Sequence, residues 1–179
     1  TVDVGGGEFE TISLTENGVD LSQLMQKFLL GAVAFSQGTT DYLRTDCASM
    51  LGLAEGKTYS EAEHKWDEAF GYFGAARDYN DYSDLEIRAA GGRDEYANGY
   101  HDMNGDNQID LQAEFNFGHS TNCAKRDIGT ALSVNSTDYT KQAFDAFLTG
   151  RQIIASATAA GELNADAQAL LNVQIQTAG

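Results

Sequence analysis

Proline is absent from all 179 residues, and basic side chains are scarce, 11 against 27 acidic ones. The lack of proline disfavours a β-sandwich, whose turns usually recruit it, and favours long helices punctuated by the 19 glycines. The shortage of Lys and Arg leaves a formal net charge of −16, a field that repels nucleic-acid phosphates and anionic lipid and attracts cations. Nucleic-acid binding is excluded on that ground; a solubilising acidic surface accounts for the charge equally well. Long apolar runs are missing too. Phe28 to Phe35 falls far short of the roughly 20 residues that span a bilayer, so no transmembrane segment is expected. Cysteine appears only as Cys47 and Cys123, enough for one disulfide in an oxidising compartment. The chain opens on Thr1 without a basic n-region or an apolar h-region, so a processed N-terminus is expected, with any export signal lost from view.

What is present reads as a helical protein. An apolar content of 42% and this length suit a single domain, or most of one, with a sizeable core. Residues 1–19 read as an extended arm around Gly5-Gly6-Gly7. Residues 20–100 hold the first helices. Asp20 is a candidate N-cap for Leu21, Leu24, Met25, Phe28, Leu29, Ala32 and Phe35, spaced as one helix face running to about Leu43, with Gly31 as a point of close approach for a partner helix. Ser60-Glu61-Ala62-Glu63 has the form of a capping box, opening a helix that carries Trp66, Ala69, Phe70 and Phe73 inward and ends near Gly74. A short helical stretch follows around Leu85 to Ala90, broken by Gly91-Gly92. Residues 101–118 form an acidic loop, and residues 119–179 return to helices. The first of these spans Ser120 to Leu132. The second is capped within Asn135-Ser136-Thr137 and stopped by Gly161, and the last starts at Asn164 or Asp166. The expected fold is all-α: a bundle of about five helices, with an EF-hand-like calcium loop inserted and a short extended N-terminal arm.

The loop is the most informative segment. Side-chain oxygens recur at alternate positions in Asp102, Asn104, Asp106 and Asp110, and Gln108 stands where a calmodulin-type loop offers its backbone carbonyl. Ca²⁺ takes six to eight oxygens at roughly 2.3–2.6 Å, and alternation lets a coiled loop aim them inward. Ile109 falls where such loops face the core. Two positions depart from the pattern. Asn107 replaces the usual glycine, although asparagine tolerates positive φ, and Ala113 occupies the place of the bidentate glutamate, with Glu114 one residue late. The expected calcium ligands are Asp102, Asn104, Asp106, Gln108, Asp110 and Glu114.

A second candidate lies on the tryptophan helix. Glu61, His64 and Glu68 share a stripe with Asp67 alongside, so His64, Asp67 and Glu68 could hold Fe or Cu with help from another helix; His64 paired to a carboxylate at the surface is the simpler reading. His119 and Cys123 stand at i and i+4, a soft-metal spacing that a disulfide at Cys123 would leave unused. No G-x-S-x-G elbow, H-E-x-x-H helix or P-loop occurs.

The run from Glu63 to Gly74, EHKWDEAFGYFG, resembles the E-H-x-W-D-E-A-F-G-Y-F-G signature of a bacterial family known only as a domain of unknown function. Asp102 to Glu114 and Asn122 to Asp127 resemble the same family's D-x-N-G-D-x-x-I-D and N-x-A-K-R-D blocks. The resemblance implies an exported helical protein or lipoprotein, secreted, periplasmic or anchored on the outer surface, and longer family members of which this chain is a fragment, a processed product or one of two cleaved pieces, with another chain or a fragment of the same precursor as a candidate partner. The family is similar in general plan to the imelysin proteins of the bacterial envelope, helical proteins linked to iron acquisition and once called peptidases. Their G-x-H-x-x-E motif maps onto Ala62 to Asp67, with alanine for glycine, His64 for the histidine and Asp67 for the glutamate. The expected function is therefore calcium binding in a non-catalytic structural role, with imelysin-like metal acquisition as the alternative and a metallopeptidase behind both.

Overall fold

The computed structural model describes residues 2–10, 14–43, 46–88 and 101–179. The end of the short helix expected to reach Ala90, the Gly91-Gly92 break, and Thr11 and Ile12 of the arm lie outside them. Among the described residues six α-helices form: α1 (Leu21–Phe28), α2 (Glu61–Phe73), α3 (Asp84–Arg88), α4 (His119–Thr130), α5 (Tyr139–Ala160) and α6 (Ala165–Ala178). The chain is mostly helical, and the arm contributes a small antiparallel hairpin of β1 (Val2–Gly5) and β2 (Glu8–Glu10), with Asp3 opposite Phe9.

Local capping chemistry explains where the helices begin. Asp20 Oδ1 accepts the amides of Ser22 and Gln23 at 3.0 and 3.1 Å and so starts α1. The helix then widens into π-helical turns over Leu29–Phe35 and Gln37–Tyr42. None of α1 is buried; Leu24, Met25 and Phe28 stand more than half exposed. The expected capping box opens α2: Ser60 Oγ accepts the Glu63 amide at 3.2 Å, and Glu63 Oε2 accepts the Ser60 amide at 2.7 Å. The cap of α5 is Asp138, just beyond the expected Asn135-Ser136-Thr137, and Asn164 caps α6.

A second carboxylate reinforces the start of α5. Asp127, buried on α4, accepts the Tyr139 and Thr140 amides, both at 2.9 Å, and the Thr137 hydroxyl at 2.7 Å. Burial pushes its carboxyl up, but these donors outweigh burial and hold it below the usual carboxylate range.

The core is an aromatic knot between α2 and α5. Trp66 is 2% exposed, and its indole N–H donates to the Phe147 carbonyl at 2.9 Å across 81 residues of sequence. Its ring meets Phe147 edge-on, and Phe70, Phe73, Phe144 and Tyr79 extend the cluster from there, with ring centroids 5.4–5.9 Å apart for most neighbouring pairs. Gly150 makes this possible: a Cβ there would lie 2.1 Å from the Trp66 ring. Close approach was expected at Gly31, but that position is exposed and a Cβ on it would meet nothing within 4 Å. Apolar residues at three-and-four spacing mark a helix face, not which glycine meets a neighbour.

No disulfide joins Cys47 to Cys123, a pairing that the sequence left open. Both thiols belong to the apolar cluster instead, Cys47 in the 3₁₀ turn Cys47–Met50 and Cys123 on α4. Burial, with Asp127 and Asp84 nearby, pushes the Cys123 thiol up to about 11, so it stays protonated and packs as a small apolar group.

Candidate metal loop

The loop is built by its own side chains folding back onto its amides. Asp102 Oδ1 accepts the Gly105 amide at 2.7 Å and the Asp106 amide at 3.2 Å, while its Oδ2 accepts the Asn107 amide at 2.8 Å. Asn104 Oδ1 accepts from the Asp106 amide at 2.9 Å, Asp106 Oδ1 from the Gln108 amide and Asp110 Oδ1 from the Gln112 amide, both at 2.8 Å. Each is an Asx turn, and their succession coils the backbone tightly. Asn107 takes φ +61°, the left-handed conformation expected where the glycine of such loops sits.

These bonds bring Asp102, Asn104 and Asp106 together, since Asp102 and Asn104 both accept the same Asp106 amide and the Asn104 side-chain N–H reaches Asp106 Oδ2 at 3.2 Å. The Gln108 side chain is exposed. Asp110 is tied in from the other side by Glu114. Among the described residues no three His, Cys, Asp or Glu side chains gather as a metal centre. The side chains that converge here are two carboxylates and an amide.

Glu114 does something the sequence reading did not assign to it. It is 2% exposed, and Oε1 accepts the Met103 and Asn104 amides at 3.0 and 3.4 Å while Oε2 accepts the Asp110 amide at 3.0 Å. One buried carboxylate thus clamps both ends of the loop. The exit segment, residues 113–117, also docks on the segment after α2. Arg77 N–H donates to the Ala113 carbonyl at 2.7 Å, Phe117 N–H to the Gly74 carbonyl at 2.9 Å, and the Ala76 amide to Asn116 Oδ1 at 2.8 Å. Gly74, the left-handed cap of α2, permits this approach; a Cβ there would lie 2.5 Å from the Phe117 carbonyl oxygen. At the loop's entrance His101 Nδ1 lies 2.9 Å from Asp78 Oδ2, and the His101 amide donates to the Glu114 carbonyl. Asp78 and Asn116 are therefore site residues that the sequence did not mark. Their signal was only a position after the family-like W-D-E-A-F-G-Y-F-G run and beside the loop.

The second candidate set is not gathered. His64 Nε2 sits 3.4 Å from Glu68 Oε1, both substantially exposed, and its ring stacks on Tyr59. Asp67 instead accepts from Arg151 Nε at 2.7 Å, and the same guanidinium reaches Glu63 Oε1 at 2.7 Å. Asp67 serves an ion pair between α2 and α5, and His64 keeps one carboxylate partner. His119 lies within 3.0 Å of the Leu30 carbonyl, an interaction that occupies its Nε2.

An α-helical domain tied at its middle by an Asx-turn loop is the class these features define. The chain belongs to the family described as Domain of unknown function (DUF4856), which matches residues 2–118, from the hairpin to the end of the loop. No curated protein and no solved structure matches the chain. No helix among the described residues is long and apolar enough to cross a membrane.

Proposed function

We propose that this chain is a calcium-binding, non-catalytic helical protein of the cell exterior or envelope, in which the ion orders residues 102–114 and fastens them to α2. The observation that carries this reading is the coil of Asp102, Asn104 and Asp106 around their own amides, with Asn107 left-handed at the position where such loops need it. Asp102, Asn104 and Asp106 would supply side-chain oxygens, Gln108 its backbone carbonyl, and Asp110 its unengaged Oδ2 directly or through water. A carboxylate oxygen that accepts one amide keeps a lone pair for a cation. Glu114 would then act through Oε2 alone, because Oε1 already holds two amides. The ion would supply positive charge to a loop rich in carboxylates and would do no chemistry. An exterior location is supported by the acidic composition and by the resemblance to exported helical proteins. The separation of His64 from Asp67 favours this reading over an iron or copper site.

Loops short of the full ligand set bind at about 10⁻⁴–10⁻³ M, the range of extracellular modules. Calcium at roughly a hundredfold excess over Kd would stabilise the fold by about 2.7 kcal/mol. That is a rise in Tm of about 5–10 °C for a chain of this size. Thermal unfolding in chelator and in about 100 mM CaCl₂ at matched ionic strength, a hundredfold above the weaker end of that Kd range, measures it; identical midpoints would end the proposal.

A further inference from the structure

A cavity of about 540 Å³ opens between α2, α4, α5, the end of α6 and the π-helical stretch, well away from the Asx turns of the loop. Its volume lies in the range of about 300–1,000 Å³ typical of small-molecule sites. Phe35, Tyr72, Phe73 and Phe147 give it aromatic walls. Although 27 of the 179 residues are acidic, none of the described side chains lining it is Asp or Glu. The face of α4 turned to it carries His119, Asn122, Cys123 and Arg126, at the i, i+3, i+4, i+7 spacing of a single stripe.

Arg126 is the telling residue. Its guanidinium has no hydrogen bond or ion pair among the described residues, whereas Arg151 is held by Glu63 and Asp67. Cys123, kept protonated by burial, adds no negative charge beside it. Asn122 places an amide one turn before Arg126 on the same stripe. The opposite wall, Ala34, Phe35, Gly38 and Thr39, belongs to the π-helical turns. Such turns are rare and recur at functional sites. We propose that this cavity binds a small carboxylate with an apolar body, its anionic head on Arg126 and its body against the aromatic walls. A planar guanidinium suits a carboxylate because two parallel N–H groups meet its two oxygens.

The test compares decanoate with 1-decanol by calorimetric titration of the whole chain, alone and as the Arg126→Gln and Ala34→Trp variants. Decanoate should bind at least about tenfold tighter than the alcohol, the value of one charge-assisted contact at a partly wet site. Arg126→Gln should abolish that preference while leaving decanol binding in place, and Ala34→Trp should block both ligands. Arg126 is exposed, so its variant stays informative even if the bulkier substitution unfolds the chain. Equal affinity for acid and alcohol, no binding of decanoate, an unchanged preference in Arg126→Gln, or full binding by a folded Ala34→Trp would each overturn the proposal.

Discussion

The aromatic knot around Trp66 and the loop around Asp102 hold backbone in place by opposite means. In the knot, burial and shape do the work: one indole, a glycine that lets it in, and rings from α2 and α5. The ion pairs beside it are those of Arg151 with Glu63 and Asp67 among the described residues, so salt should matter little there and calcium not at all. In the loop little is buried except Glu114 and the exit segment at Ala113 and Asn116, and the conformation rests on side chains that accept backbone amides. Those acceptors include the carboxylates of Asp102, Asp106, Asp110 and Glu114, the groups through which the proposed calcium ion would act. One unit thus rests on packing, the other on side chains that accept backbone amides.

The sharpest way to break this contrast is to damage the knot. Trp66→Ala should cost about 3–5 kcal/mol in chemical denaturation, by the same amount with calcium or with chelator. Gly150→Ala, which forces a methyl group into the indole ring, should cost about 1–3 kcal/mol, again without calcium dependence. A calcium-dependent loss in either variant would show that the two units are not separate. Glu114→Ala should fall between the two classes. It leaves the Met103, Asn104 and Asp110 amides without their acceptor, a loss of about 1–3 kcal/mol, and it should also erase the Tm response to calcium.

The smallest effect concerns acid. Asp127 is held below the unfolded carboxylate range, so its contribution is present above the unfolded pKa of about 3.9 and disappears as pH falls through the lowered folded value. Asp127→Asn should therefore be less stable than the parent at neutral pH, with the gap narrowing below about pH 4 in a series of melting curves. A constant gap would mean that the Tyr139 and Thr140 amides do not depend on the charge.

Much of the helical plan was legible because helix ends are written locally. Ser60 with Glu63, Gly161 and Asn164 each declare a boundary within a few residues, and the structure uses all of them. The glycine that matters to packing was not legible. Gly31 and Gly150 look alike in sequence, and only the pairing of Trp66 with a helix 81 residues away distinguishes them. The loop shows the same division. Its alternating oxygens and the left-handed Asn107 could be read from spacing. The burial of Glu114 depends on docking of residues 113–117 against 74–78, which no local pattern announces. The cavity was invisible for the same reason, its lining being drawn from segments spread over most of the chain. Asp67 went to Arg151 and not to His64, because a helix stripe fixes neighbours on one helix and says nothing of what the next helix brings.

Calcium titration of chelator-treated protein, read by calorimetry, tests the central claim most directly. The account predicts one Ca²⁺ bound per parent chain, and none by an Asp102→Asn/Asp106→Asn double variant that keeps the same far-UV helical signal. Absence of binding to the parent at 10 mM CaCl₂, far above the Kd range of about 10⁻⁴–10⁻³ M, or undiminished binding by the double variant, would contradict it.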